Sequence, residues 1–243
     1  MEQLTGRSIA RFDDIDGFSN SVDDIQADAE AVNNNRLLHH IHFNSMLLAY
    51  WRGDFATAEK SSRAAWKFPT ATMPHILLIY HTFFAGLIAF RLLRSSSGGD
   101  DERTKEGNEH MRRMGKWART ISMPLFGNKW HLLQAEHAAC DNCLSFEAMK
   151  QYKASIEVAR DHGNVHELAL AHELAGEYLA SCGRQSDATA HFKQAHAFYN
   201  QWGATVVAER LLSRHNLVIG SAEAEKQSKT SKRTRPGEVI DIE

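Results

Sequence analysis

Residues 148–155 read Ala-Met-Lys-Gln-Tyr-Lys-Ala-Ser, and residues 188–195, forty positions later, read Ala-Thr-Ala-His-Phe-Lys-Gln-Ala. Each stretch has a small residue, an aromatic residue and a second small residue at positions i, i+4 and i+7, which share one face of an α-helix. Small residues let a neighbouring helix approach closely, and the aromatic ring fills the space between the two. The residues concerned are Ala148, Tyr152 and Ser155 in the first stretch and Ala188, Phe192 and Ala195 in the second. This spacing predicts packed pairs of helices.

Glycines stand at fixed distances from these trios. Gly183 lies five residues before the second trio, where a helix must stop and reverse, and Gly176 lies seven residues before Gly183. Gly53 likewise lies five residues before Ala58, and Ala65 follows seven residues further on. Three units with the same internal offsets predict a helical-hairpin repeat that resembles the tetratricopeptide pattern.

The composition is that of an ordinary globular protein with little turn-forming sequence. The 243 residues are 43% apolar and 24% charged, and they include only four prolines, which does not suit an all-β fold. The net charge of −2 argues against a nucleic-acid partner. Three cysteines cannot build a disulfide framework, and the first seven residues lack the apolar run of a signal peptide. We therefore expect a cytoplasmic protein.

The pattern is helical nearly throughout, so we predict an all-α, right-handed solenoid of antiparallel helix pairs with eight or nine helices. The first thirty residues carry eight acidic and two basic residues. The C-terminal tail contains a cluster of five basic residues between positions 226 and 235. That cluster is interpreted as part of a solvated tail, with a nuclear-localisation or anion-binding patch as the alternative. The predicted segments are an acidic, loosely ordered lead (1–27), N-terminal helical repeats (28–94), a loop (95–102), C-terminal tetratricopeptide-like repeats (103–217) and a disordered charged tail (218–243).

One stretch is apolar enough to require a membrane test. No Asp, Glu, Lys or Arg occurs between Pro69 and Phe90, but only 15 residues follow His75 before the stretch ends. A membrane span needs about 20 apolar residues. We therefore predict a buried core helix and no membrane association.

Three longer stretches resemble a known family. Residues 152–160 read Tyr-Lys-Ala-Ser-Ile-Glu-Val-Ala-Arg, and residues 167–179 read Glu-Leu-Ala-Leu-Ala-His-Glu-Leu-Ala-Gly-Glu-Tyr-Leu. Residues 195–204 read Ala-His-Ala-Phe-Tyr-Asn-Gln-Trp-Gly-Ala and include Tyr199 and Trp202, which we also expect to pack the repeats. In this order they resemble the "YxxAIxxA", "EALAxELAxxFYL" and "AxxxYxxWGA" helices in the tetratricopeptide-like region of large multidomain signalling ATPases.

The resemblance is best over residues 115–215, where Trp117-Ala118 and the stretch 129–136 also fit, and looser over residues 36–94. In that family the helical region follows an AAA-type ATPase module, often behind a Ser/Thr kinase domain. GAF and sensor histidine kinase domains usually come after it. The resemblance therefore implies a helical region that accompanies catalytic domains.

The catalytic motifs of that family are missing from this sequence. It contains no G-x-x-x-x-G-K-[ST] phosphate loop, no H-R-D and no D-F-G. His166 and His172 are each followed by Glu-Leu, but both lack the Arg-Thr-Pro continuation of a phospho-accepting histidine box. We expect no enzymatic activity in this chain and no cofactor.

The sharpest metal-binding candidate is formed by His137, Cys140 and Cys143, which are spaced three apart and could offer three zinc ligands from one helix face. A fourth ligand is not obvious, and small cysteines in a joint between helices are the simpler interpretation. His39, His40 and His42 point in different directions on a helix. His162 and His166 span a turn, and residues 13–17 fit a calcium loop poorly.

The five tryptophans lie near helix ends, where they are predicted to act as wedges between helices, with a peptide-binding groove as the alternative. Stacked repeats leave an extended concave surface that suits another protein or domain. We therefore predict a non-catalytic interaction or regulatory module. The alternatives are a fragment of a larger ATP-dependent signalling kinase whose catalytic domains lie outside this chain and, more weakly, a small zinc-binding protein.

Overall fold

The computed structural model of the protein describes residues 22–68, 75–96, 100–141 and 144–215. In these ranges it contains ten α-helices and no β-strand, which confirms the predicted all-helical class. The candidate calcium loop at 13–17 and the basic cluster at 226–235 lie outside the described residues. The helices are α1 (Val22–Ala31), α2 (Asn35–Arg52), α3 (Phe55–Ala65), α4 (His75–Ser95), α5 (Asp101–Thr120), α6 (Met123–Asp141), α7 (Phe146–Asp161), α8 (Val165–Ser181), α9 (Gln185–Trp202) and α10 (Thr205–Arg214).

Short polar side chains and glycines set the helix ends. Asp54 caps α3 because its carboxylate accepts a 3.0 Å hydrogen bond from the backbone N–H of Thr57. Ser145 caps α7 in the same way. Gly53 ends α2 with a φ of 80°, a left-handed conformation that a Cβ would strain. The dipeptide Gly53-Asp54 therefore both stops one helix and starts the next.

Two helix boundaries differ from the sequence prediction. α1 begins at Val22, inside the lead that was predicted to be loosely ordered, and it packs on α2 with Ala29 buried. It raises the number of helices in the described ranges to ten, above the expected eight or nine. α6 begins at Met123 rather than near residue 128. Pro124 lies in its first turn, where a missing N–H removes no helical hydrogen bond.

Each helix packs against the next one along the chain, and the contact is most extensive in the pairs α2/α3, α4/α5, α6/α7 and α8/α9. One continuous core joins α2 to α10. Gly176 of α8 illustrates why small residues occupy the interfaces. A Cβ at this position would lie 2.6 Å from Cε1 of Phe192 on α9, well inside van der Waals contact. The two helices can approach this closely only because that Cβ is absent.

α4 is an apolar helix that contacts α2, α3, α5 and α6. Phe83, Leu87 and Phe90 on this helix are at most 1% exposed. By length and composition alone, Ile76–Ser95 could cross a membrane, with a mean hydropathy of 1.9, and 56% of its most apolar stretch is buried inside the fold. This burial agrees with the predicted core helix.

Helices of the first half also contact helices of the second half across the interior. The ring centroid of Trp51 on α2 lies 5.9 Å from that of Tyr199 and 6.0 Å from that of Trp202, both on α9. Tyr80 of α4 donates a 3.3 Å hydrogen bond from Oη to Glu167 of α8. The chain's own side chains therefore occupy much of the space that an open concave surface would leave to a partner.

Candidate functional site

A cleft of about 530 Å³ opens where the last turns of α4, α6, α8 and α10 come together. Helix C-termini carry partial negative charge, and basic side chains near them are therefore favourable. We call this opening the arginine cleft. Its charged and titratable walls are Arg91, Arg94, Cys140, Asp141, Glu177, Arg214 and His215.

Two buried carboxylates hold the three arginines of the cleft. Glu177 contacts Arg91 through one oxygen, and its other oxygen lies 2.9 Å from Nη1 of Arg214. Glu136 of α6 lies 2.9 Å from Nη2 of Arg94. Burial acts to raise the pKa of Glu177, but the charges of Arg91 and Arg214 outweigh it and hold that pKa below its ordinary value. Glu177 therefore stays ionised in neutral solution.

Another buried carboxylate lies one turn earlier on α8. Tyr199 donates a 2.5 Å hydrogen bond from Oη to Glu173, and Nη2 of Arg210 lies 3.7 Å from the other oxygen of that carboxylate. Burial, followed by the charge of Glu177, raises the pKa of Glu173. The two glutamates of α8, one turn apart, therefore have pKa values shifted in opposite directions, and perturbed pKa values are found more often in functional sites than elsewhere.

A buried lysine lies near the other end of these helices. Lys129 of α6 is 3% exposed, and its Nζ lies 2.5 Å from Oε1 of Glu167 and above the ring of Tyr80. Burial acts to raise the pKa of Glu167, but the hydrogen bond from His166 and the charge of Lys129 lower it to about 2. Asn128 donates to the second oxygen of Glu167. Because each charge has its partners, this cluster joins α4, α6 and α8 and offers no free acid or base.

The residues predicted to pack the repeats lie between helices. Gly53 and Gly183 adopt the left-handed backbone at turns, with φ of 80° and 76°. Trp202 stacks on His166, with the ring centroids 5.2 Å apart. Tyr152 also donates a 2.5 Å hydrogen bond to Glu136, a role that the repeat pattern did not indicate. The members that are at most 1% exposed are Ala58, Ala65, Ala148, Tyr152, Ser155, Ala188, Phe192, Ala195 and Tyr199.

The tryptophans each contact a neighbouring helix, as interhelical wedges do. Trp66, at the end of α3, stacks on His81 of α4 at 4.2 Å between centroids. Trp117 of α5 packs against Phe126 of α6 at 6.0 Å. Trp130 of α6 covers Gly115 of α5, where a Cβ would lie 2.6 Å from the indole nitrogen.

The candidate zinc ligands of the weaker alternative are only partly within the described residues. His137 packs edge-on against Phe90, and the thiol of Cys140 donates to the carbonyl of Glu136 at 3.3 Å. Burial raises the pKa of Cys140 to about 11, which disfavours the thiolate that zinc requires. Cys143 lies outside the described residues, so the structure does not test the zinc-binding alternative.

The other candidate histidines are dispersed. His39 is buried, whereas His42 stacks on Phe68 at the end of α3. His162 is exposed at the end of α7, and His172 of α8 has its Nδ1 3.1 Å from that of His191 on α9. Within residues 22–68, 75–96, 100–141 and 144–215, no three His, Cys, Asp or Glu side chains are grouped so that they could hold a metal ion.

The buried histidines His39 and His81 and the partly buried His110 form a separate cluster with Trp66 between α2, α3, α4 and α5. The ring centroids of His81 and His39 are 5.6 Å apart. The ring centroids of Trp66 and His110 are 5.7 Å apart. Ser62 Oγ is 3.1 Å from Nε2 of His81. Burial lowers the pKa of His81 to about 3 and that of His110 to about 4, so both rings are neutral in neutral solution.

An exposed apolar groove of about 560 Å³ lies beside the α6–α7 turn. Phe146 is 82% exposed and Leu144 is 52% exposed at one wall. Met149 and Leu179 contribute further apolar surface. Arg184 and Asp187, which form an ion pair, and His191 also line the groove. We call this surface the apolar groove.

Sequence reasoning missed the arginine cleft, although it left a trace. Glu173 and Glu177 interrupt the apolar pattern of α8, and Arg91 and Arg94 directly follow the apolar stretch of α4. Buried charges are generally paired, so such interruptions indicate partners elsewhere. Arg91 and Glu177 are 86 residues apart, however, and no local spacing predicts that they meet.

Comparison with protein-family models, curated proteins and solved structures gave no significant match to this chain. The resemblance to signalling ATPases therefore stays a prediction carried by residues 115–215.

Proposed function

We propose that this chain is a non-catalytic interaction module, a right-handed solenoid of antiparallel helix pairs that binds a partner protein or a neighbouring domain in the cytoplasm. The pairing of consecutive helices supports the solenoid, and the free thiol of Cys140 suits a reducing compartment. The proposal is carried by the apolar groove, because contiguous exposed apolar surface is typical of protein interaction sites.

The backbone conformation of the turn before α7 holds the apolar side chains of the groove in an exposed position. Leu144 has a φ of 59°, a conformation that costs a non-glycine residue of order 1 kcal/mol. The neighbouring backbone is fixed, since the N–H of Ser145 donates a 2.7 Å hydrogen bond to Tyr178 Oη. This turn directs Leu144 and Phe146 to water, and a partner would bury both side chains.

The groove defines the kind of partner. Its apolar wall suits the apolar face of an amphipathic segment, and Arg184 and Asp187 provide charged groups for polar side chains along that segment. Trp51 and its neighbours occupy the interior. The apolar groove lies on the surface, so a partner that binds there displaces none of these core side chains.

The experiment is affinity capture from the source cells with wild-type protein and two matched variants. Phe146→Asp places a charge in the groove, whereas Val32→Asp changes a 72% exposed residue at the α1–α2 turn. Wild type and Val32→Asp are expected to retain the same partner, and Phe146→Asp to lose it by about tenfold or more. Equal capture by all three proteins would contradict the proposal.

A second candidate is that this chain belongs to a larger ATP-dependent signalling kinase, which the motif resemblance over residues 115–215 supports. An immunoblot of the endogenous protein decides between the two. A band several times larger than 27.4 kDa favours the kinase, and a band near 27.4 kDa overturns it.

A further inference from the structure

Each arginine of the arginine cleft keeps hydrogen-bond donors that the ion pairs do not use. Arg91 and Arg214 meet Glu177 through Nη1, and Arg94 meets Glu136 through Nη2. A guanidinium carries five N–H donors on three nitrogens. Each guanidinium therefore has N–H donors beyond those on the nitrogen that makes its closest contact with a carboxylate.

The two carboxylates are more buried than the arginines that they contact, and Glu177 also lines the cleft. The side chains of Glu136 and Glu177 are 1% and 8% exposed, whereas that of Arg214 is 34% exposed. Buried ion pairs often stabilise a fold no better than apolar side chains of similar size, so stability alone does not explain them. Their geometry instead fixes the guanidiniums before any ligand arrives, which reduces the entropy lost on binding.

The side chains that line the cleft carry more positive than negative charge, and the C-termini of four helices add partial negative charge. Arg91, Arg94 and Arg214 carry three positive charges against the two of the buried carboxylates. Asp141 also lines the opening, but its exposure to water screens its charge.

We propose that the arginine cleft binds a small phosphate-bearing molecule. A volume of about 530 Å³ is typical of small-molecule sites and too small for a helix. Guanidinium groups match phosphate oxygens in geometry as well as charge, and a phosphate offers enough oxygens to contact several of them at once.

The test is isothermal titration of the purified chain with pyrophosphate. Arg214→Gln removes the most exposed of the three guanidiniums while Glu177 keeps Arg91, so the fold is retained. Arg112→Gln is the control, because Arg112 is 67% exposed on α5 and pairs with Glu109. Wild type and Arg112→Gln are expected to bind one pyrophosphate with affinities within about twofold, and Arg214→Gln about tenfold or more weakly.

A second variant blocks the cleft without changing its charge. Ser95 is exposed at the end of α4 and lines the opening, so Ser95→Trp is expected to abolish binding while thermal unfolding stays that of wild type. Absence of binding to wild type at millimolar pyrophosphate would overturn the proposal. Equal binding by Arg214→Gln, or citrate binding as tightly as pyrophosphate, would also overturn it. Phe146→Asp is expected to bind pyrophosphate normally, which separates this site from the apolar groove.

Discussion

The carboxylate of Glu177 on α8 contacts the guanidinium of Arg91 on α4, 86 residues earlier in the sequence. Their side chains are 8% and 18% exposed, so water screens the pair only weakly. Together with the contact between Trp51 and Tyr199, it joins the early and late helices. The chain therefore behaves as one helical body rather than as two independent sets of repeats.

Removing one partner of this pair is expected to destabilise the protein strongly. In Arg91→Met, Glu177 stays buried and loses the guanidinium that lies closest to it, although it keeps Arg214. We expect the free energy of unfolding in urea to fall by about 3 kcal/mol. The double variant Arg91→Met/Glu177→Met leaves no uncompensated carboxylate and is expected to recover most of that loss. A single variant as stable as wild type would show that the pair is unimportant.

Gly176→Ala is expected to destabilise the protein although alanine is the better helix former. The new Cβ would lie 2.6 Å from Cε1 of Phe192, which is fully buried and cannot move freely. We expect a net loss of about 1–3 kcal/mol by thermal or urea unfolding. Adding Phe192→Leu should reduce the penalty of the alanine, because the clashing ring is removed. If Gly176→Ala is more stable than wild type, α8 and α9 do not pack as described.

The packing of α8 and α9 is also where the sequence was most informative. Gly176, Phe192 and Ala195 could be recognised because helical periodicity is local, and all three lie between the paired helices. The start of α6 was missed, and it includes Pro124 in its first turn, where proline is tolerated. The arginine cleft depends on pairs far apart in sequence, for which periodicity gives no information.

The buried histidines predict loss of stability in acid. An unfolded histidine has a pKa near 6.5, whereas folding lowers the pKa of His81 to about 3 and that of His110 to about 4. Below pH 6.5 the histidines of the unfolded state bind protons before those of the folded state do. The free energy of unfolding therefore decreases as the pH is lowered, until the pH reaches the pKa values of the folded state. His39 on α2 and Arg113 on α5 add positive charge that opposes protonation of His81. Each ring should cost about 2 kcal/mol between pH 7 and pH 5.

Urea unfolding at the two pH values measures this effect. His81→Phe keeps an aromatic ring against Trp66 and is expected to reduce the acid-induced loss by about 2 kcal/mol. His162→Phe changes an exposed histidine and should leave the loss as in wild type. An unchanged pH dependence in His81→Phe would mean that His81 is not held neutral by burial.

Cys140 is expected to be unreactive. With a pKa raised to about 11, its thiolate fraction near neutral pH is about a hundredfold or more below that of an ordinary cysteine. Alkylation by iodoacetamide in a Cys143→Ser/Cys182→Ser background should be slower by about that factor. Purified wild-type protein should contain less than about a tenth of an equivalent of zinc. Rapid alkylation, or one equivalent of zinc, would contradict this description of the thiol.

The central claim, that the chain binds a partner through the apolar groove, is tested most directly by hydrogen exchange of the chain with and without its captured partner. We expect the partner to slow exchange in the residues around Leu144, Phe146 and the start of α9, and Phe146→Asp to lose that protection. Protection confined to other helices, or no protection when the complex is formed, would contradict the claim.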